Sequence, residues 1–286
     1  MASFIHPTAI VSLLAEIGRD VYIGPFSVIE DGVILGDQCS LASRAVIKQG
    51  CHLGANNEIA EGAVIGGRAQ HVRRGNESGS VRMGSGNRIR ENVTIHAALD
   101  KGRHTVIGDN NLIMVGAHIA HDCRIGNNTL IVNNAMLAGH VIVEDRAYIS
   151  GAVGIHQFCR VGQYAMIGGQ AHIVQDVPPF VTVDGATSRV VGLNRVGLRR
   201  NGFKDEQITQ LKEAYRLIYR SGFTWSEVIA QLKVDFSTGP ASAYIPFLST
   251  GKRGFVQERR VPRGATLKMP NIDERELIEI EFRKAG

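Results

Sequence analysis

The sequence predicts a parallel β-helix that carries a small helical domain at its C-terminal end, and three observations predict it. Aliphatic residues recur at every sixth position from Ile5 to Ile173, glycine supplies 33 of 286 residues, and beyond Pro178-Pro179 the frame gives way to helical spacing. Neither an α-helix (period 3.6) nor an isolated strand (period 2) repeats strictly at six. A solenoid of short strands and corners does, each aliphatic pointing inward.

Stepping by six from Ile5 meets Ile, Leu, Val or Met at 26 of 29 positions, so one architecture spans the whole stretch. Three faces give an 18-residue coil. Glycine often follows the aliphatic (Gly18, Gly24, Gly36, Gly54, Gly108, Gly126, Gly162), as crowded corners require. The fifth place is small or branched, and all four cysteines (Cys39, Cys51, Cys123, Cys159) occupy it, so they are expected to fill core rather than do chemistry. The frame fails at His71, Glu77 and Lys101, which places two excursions at residues 66–82 and 97–106. Insertions in solenoids commonly build binding faces.

The β-helix is expected over residues 1–185 and a helical domain over 186–255. A glycine-punctuated linker (Gly185, Gly192, Gly197, Gly202) leads to Ile208, Leu211, Tyr215 and Ile218 at helical spacing, ending at Ser221-Gly222. Thr224 and Glu227 read as a capping box that opens a second helix through Val228, Ile229 and Leu232. Residues 256–286 mix charges evenly, contain Pro262 and Pro270, and suggest no role; Ile272 to Phe282 suits a helix or a strand.

The net charge of +5 is too small to indicate nucleic acid, and no aromatic–basic interleaving accompanies it. No run of 18 apolar residues predicts a membrane span, and the first residues lack a secretion signal. With no CxxC pair, a reduced cytoplasmic chain is expected.

Chemistry is expected around His118, His121, His140 and His156, which lie in one uninterrupted run of hexads. At 18 residues per coil, His121 stacks under Gly139, Asp122 under His140, and Gly139 under Gln157. Neighbouring strands are roughly 4.8 Å apart, so these groups should form one compact patch. Two chemistries suit it. In one, His121 is a general base with a carboxylate setting its tautomer, and the Gly139 N–H stabilises an oxyanion. In the other, the histidines hold zinc between subunits. The His118-x-x-His121 spacing turns the two rings to different faces, which argues against both ligating one ion within a chain.

The hexads resemble the hexapeptide-repeat family, whose members form left-handed parallel β-helices and usually trimerise. The runs IGPFSVI, NRIRENVTIH, GAHIAHDCRIGN, NNAMLAGHV, IHQFCRVG, QDVPPFV, GLNRVGLRR and AYRLIYRSG together resemble the UDP-N-acetylglucosamine O-acyltransferases that start lipid A synthesis, from about His6 to about Phe255. The resemblance implies acyl transfer from acyl carrier protein to the sugar 3-hydroxyl, with no metal or diffusible cofactor, in a homotrimer. It implies that His121 is the base, Asp122 its orienting partner and the Gly139 N–H the oxyanion donor. His118, His140, His156 and Gln157 would line the site, Asn194 and Arg200 would lie near the nucleotide, and Gly169 would leave room for a long acyl chain.

Departures cluster on the sugar side. Where close relatives carry Gln-Asp-x-Lys, this chain has Gln70-His71-Val72-Arg73, keeping a glutamine and a cation but losing the carboxylate. Val196 replaces an acidic residue and Asn201 replaces an arginine. A 3-amino analogue of the sugar, or another nucleotide sugar, is therefore an alternative acceptor; a zinc-dependent hydratase and a catalytically silent paralogue that binds nucleotide sugar or carrier are alternatives of other classes. Residues 189–220 hold eight Lys/Arg against three Asp/Glu, so Arg199, Arg216 and Arg220 are candidates to meet an acidic carrier protein.

Overall fold

The computed structural model describes residues 2–72 and 78–259. Short parallel strands, mostly two residues long, stack into three sheets of 11, 9 and 8 strands that form the faces of a prism. The inward aliphatics of the six-residue frame are its core: Ile23, Ile47, Ile95, Ile119 and Ile149 are all buried. The four cysteines are buried and unbridged in the same core.

Arg124 pairs with Ile142, and Ile142 with Arg160, at the ordinary 18-residue step. The first excursion lengthens its coil by two hexads, since His52 pairs with Arg82. The second lengthens its coil by one, since Arg82 pairs with Val106. Strand extends further into these breaks than the sequence predicts: Val64–Gly67, Ser80–Met83 and His104–Ile107 are strands, and the described residues between them that are not strand are 68–72, 78–79 and, in the second break, 97–103. Backbone pairing continues past the strand ends, the Ala97 N–H donating to the Gly67 carbonyl (2.8 Å) and the Gly79 N–H to the Ala98 carbonyl (2.9 Å).

The glycines after the aliphatics answer close approach rather than handedness. A Cβ on Gly36 would fall 2.6 Å from the Gly54 carbonyl carbon, and one on Gly108 would fall 2.6 Å from the Gly126 oxygen. The left-handed corner comes two residues later, where Asn56, Asn92, Asn110, Asn128 and Asn134 have φ between 55° and 58°. Asparagine tolerates that region. The fifth place also holds an unpredicted polar stack. Asn57 Oδ1 accepts the Asn87 N–H (2.9 Å), Asn87 Oδ1 accepts the Asn111 N–H (2.9 Å), and Asn111 Oδ1 accepts the Thr129 N–H (2.7 Å), all inside the prism.

The prism ends where one coil shortens by two residues, with Val161 bridging to Val177 and Met166 pairing with Thr182. The stretch read as a linker is structured: Val181–Val183 and Val190–Leu193 pair antiparallel, and a helix α1 follows over Arg195–Arg200. The two predicted helices are α2 (Asp205–Arg220) and α3 (Trp225–Asp235), the second opened by the Thr224/Glu227 capping box. A last helix, α4 (Tyr244–Ser249), was not legible in the sequence. Phe180, Leu198, Leu211, Leu232 and Tyr244 form this domain's own core. Arg160 fastens it to the prism, pairing with Asp176 (2.8 Å) and donating to the Phe247 carbonyl (2.8 Å). The segment from Val256 is not detached from the fold, because Val256 is buried and the Tyr215 hydroxyl donates to Glu258 (2.7 Å). Residues 260–286, with Pro262, Pro270 and the Ile272 to Phe282 pattern, lie outside the described residues.

Candidate active site

The six-residue frame places Ile119 and Leu137 inward on one face, so the residues after them turn the next corner. His121 and Asp122 lie on that corner in one coil, Gly139 and His140 in the next, and Gln157 and Phe158 above them, confirming the 18-residue stacking. His140 donates its N–H to the His121 carbonyl (3.0 Å), and Phe158 donates to Gly139 (3.1 Å).

His121 is buried and its Nδ1 lies 2.8 Å from Asp122 Oδ2. That oxygen also accepts the Leu99 N–H (3.0 Å), and the Asp122 N–H donates to the buried Thr105 Oγ1 (2.9 Å). The second excursion thus grips the carboxylate. Burial works to raise the Asp122 carboxyl, but the hydrogen bonds from His121 and Leu99 and the nearby imidazoles hold it below the usual range. An ionised carboxylate on Nδ1 keeps the proton there and leaves Nε2 as the basic nitrogen. A Cβ on Gly139 would sit 2.7 Å from that Nε2, so glycine is what allows the two coils to close at this point. No hydrogen bond of the Gly139 N–H forms among the described residues.

His140 stands edge-on to His121 (ring centroids 5.2 Å apart) and stacks on Phe158 (4.5 Å, 8° between planes). Burial lowers its imidazole against the opposing charge of Asp122. His71, from the first excursion, meets His121 from another side at 5.4 Å, so the residue that departs from the family pattern lies against that ring. Gln70 is exposed nearby in sequence, and Arg73 lies outside the described residues. An open groove of about 1090 Å³ runs from Asp122 and His140 past Arg103, Arg124 and Phe158 to Arg253.

The compact histidine patch divides in two. His118 lies on the flat face rather than the corner, its Nδ1 2.8 Å from Thr94 Oγ1, and its ring packs edge-on against His96 at 4.9 Å. The spacing argument that turned His118 away from His121 holds. His156 stands apart, its Nδ1 3.2 Å from the Gln157 carbonyl, and Gln157 is exposed. His96 was missed by sequence reasoning. It is buried with Nδ1 unpartnered, and burial, with His118 and His121 adding, pushes its imidazole down to about 4. A signal existed: His96 directly follows an inward isoleucine, in the column where glycine recurs.

The remaining predicted residues do not reach this corner within one chain. Gly169 follows Ile167 on a second edge of the prism, where an added Cβ would face the Gly151 carbonyl and Ser150. Asn194 caps α1, accepting the Gly197 N–H (3.0 Å) and donating to the Tyr164 carbonyl (2.9 Å) on the third edge, and Arg200 is exposed at the end of that helix. Arg216 is exposed, Arg199 lies 3.5 Å from Asp205, and Arg220 is bound to Glu258 at 2.6 Å. The charge counted over residues 189–220 is thus partly neutralised from outside that segment.

The sequence pattern described as UDP-N-acetylglucosamine O-acyltransferase, domain 2, matches residues 176–256, and that of the bacterial transferase hexapeptide (six repeats) matches 15–49 and 104–139. An acyl-[acyl-carrier-protein]–UDP-N-acetylglucosamine O-acyltransferase of Paraburkholderia phymatum is 40% identical over 262 residues, 89% of this chain and all of that one. The chain belongs to the UDP-N-acetylglucosamine O-acyltransferase family. A relative of the same printed name from Gloeothece citriformis is 46% identical over 180 residues, 61% of this chain; the match spans 65% of that relative's length, just under two thirds. The crystal structure of the UDP-N-acetylglucosamine acyltransferase of Francisella novicida superposes with a TM-score of 0.87 at 34% identity, covering 93% of this chain and all of that one. Membership in the acyltransferase family accounts for the helical domain as well as the repeats, because both are matched.

Proposed function

We propose that this chain transfers an acyl group, a 3-hydroxyacyl chain by family resemblance, from acyl carrier protein to the 3-hydroxyl of UDP-N-acetylglucosamine, the first step of lipid A synthesis. The observation that carries it is the 2.8 Å His121–Asp122 contact, which leaves Nε2 of a buried imidazole packed against Gly139. In this scheme Nε2 takes the hydroxyl proton as the sugar oxygen attacks the thioester carbonyl. The new C–O bond places an oxyanion within reach of the Gly139 N–H. Collapse breaks the C–S bond, and the imidazolium returns its proton to the departing thiolate. No metal or diffusible cofactor takes part.

The other roles follow the resemblance. His118, His140, His156 and Gln157 line the acyl-transfer site; Gln70, His71 and Arg73 meet the acceptor sugar; Asn194 and Arg200 serve the nucleotide; Gly169 ends the acyl groove. His121, Gly169 and Asn194 lie on three different edges of one prism, so a neighbouring copy would complete the site, which supports a homotrimer. Arg199 and Arg216 remain candidates to meet the carrier, in a reaction that belongs in the cytoplasm. Mass spectrometry of product from UDP-N-acetylglucosamine and its 3-amino analogue, offered together with carrier thioesters, tests the reading. An O-acyl product that disappears in His121→Ala supports it; acylation of the amino sugar alone, or none in the parent, overturns it.

A further inference from the structure

The corner at Asp122 holds more ligand chemistry than acyl transfer uses. His121, Asp122 and His140 each offer one donor atom, and the three lie within 4.8 Å of one another. Asp122 Oδ2 is the hinge of the set, 2.8 Å from His121 Nδ1 and 4.0 Å from His140 Nε2. Two imidazoles and a carboxylate suit a first-row transition-metal ion, whose bonds to such donors run about 2.0–2.2 Å. The 4.0 Å between His140 Nε2 and Asp122 Oδ2 is the gap that a shared ion would close. The stacking of coils has arranged this triangle, since Asp122 and His140 occupy the same corner one coil apart.

Its surroundings favour an ion further. The Leu99 N–H already orients Asp122 Oδ2, and Phe158 fixes the plane of the His140 ring; outer contacts of this kind orient metal ligands. His71 adds an imidazole on another side of His121. The groove of about 1090 Å³ reaches Asp122 and His140, giving an entry path and room for bound water.

We propose that His121, Asp122 and His140 form an inhibitory site for a Zn²⁺-like ion, mutually exclusive with acyl transfer. The inhibitory part rests on His121 being the base. A neutral imidazole carries one proton, which in the resting site lies on Nδ1 against Asp122. When Nδ1 gives its lone pair to the ion, that proton belongs on Nε2, and no proton need leave the ring. Nε2–H has no lone pair to accept a substrate proton, so the ion removes the base without altering the fold.

Cobalt reads the site independently of activity. Metal-free protein titrated with Co²⁺ should develop visible d–d absorption with one ion per chain, and Zn²⁺ should displace it. Asp122→Asn and His140→Ala should each weaken Co²⁺ binding at least ~10-fold, while His172→Ala, elsewhere on the prism, should leave it unchanged. Zn²⁺ should suppress acyl transfer at least ~10-fold at saturation, at the concentration that displaces Co²⁺, and Mg²⁺ should not. An absent cobalt spectrum, or one unchanged in both ligand variants, overturns the site whatever the enzyme does. Zn²⁺ that displaces Co²⁺ yet leaves transfer intact overturns its inhibitory role. A metal-free parent with no transferase activity sinks the proposed function, and the inhibitory role with it, while the cobalt spectrum still decides whether the site exists.

Discussion

Gly139 is tightly constrained at the corner, because the His121 ring sits where its side chain would be. A methyl group in Gly139→Ala would lie 2.6 Å from His121 Cε1 and 2.7 Å from Nε2, so the buried ring must move. Steady-state assays should show kcat lowered ~10²-fold or more, with an unchanged circular dichroism spectrum. Asp122→Asn keeps the shape but loses the charge that holds the Nδ1 proton, and should lower kcat by a comparable ~10²-fold. His96 has a different signature. Its imidazole is held near 4 by burial, against about 6.5 in an unfolded chain. Between those values the unfolded chain binds the extra proton, so stability is full above about pH 6.5 and falls as pH drops towards 4, by about 3 kcal/mol at most. Urea unfolding at pH 7 and pH 4.5 should show a smaller loss for His96→Leu than for the parent.

Among the elements, the buried asparagine stack should carry stability rather than activity. Asn87 Oδ1 accepts both the backbone N–H and the side-chain amide of Asn111 (2.9 Å each), so Asn87→Val leaves those two buried donors unpaired, while the backbone N–H of residue 87 still reaches Asn57 Oδ1. A loss of roughly 2–4 kcal/mol is expected, read as a lower urea midpoint, with kcat unchanged. The contrast between this stack and the isoleucine column shows what the sequence could reveal. Ile23 to Ile173 and the Thr224/Glu227 cap were legible because period and capping are local rules. The asparagine stack was not legible, because its partners are one coil away and 18 to 30 residues distant in sequence. The site divides the same way. His121, Asp122 and Gly139 followed from counting eighteens, whereas Leu99, Thr105 and His96 depend on how two insertions fold back. Helices α1 and α4 stayed hidden because six residues cannot display a helical period.

Across the whole molecule, the proposed site residues His121, Gly169 and Asn194 lie on three different edges of the prism. If neighbouring copies complete each site, two inactive variants should rescue each other. Co-refolded His121→Ala and Arg200→Ala chains should recover transfer that neither shows alone; absence of recovery would place the whole site in one chain. The carrier surface is tested with Arg199→Ala/Arg216→Ala, which should raise KM for the carrier chiefly at low salt. Arg220 should be spared in that variant, since it is bound to Glu258 and its loss would disturb the docked C-terminal segment.

Both insertions lengthen their coils by whole hexads, two in the first and one in the second, so every downstream isoleucine still points inward. The solenoid therefore behaves like a text with a reading frame. Six residues can be added or removed at a corner as a silent edit to the scaffold, while five or seven would be a frameshift that turns the remaining core outward. Loops that grip Asp122 and present His71 can thus be rewritten without reopening the question of how the chain folds.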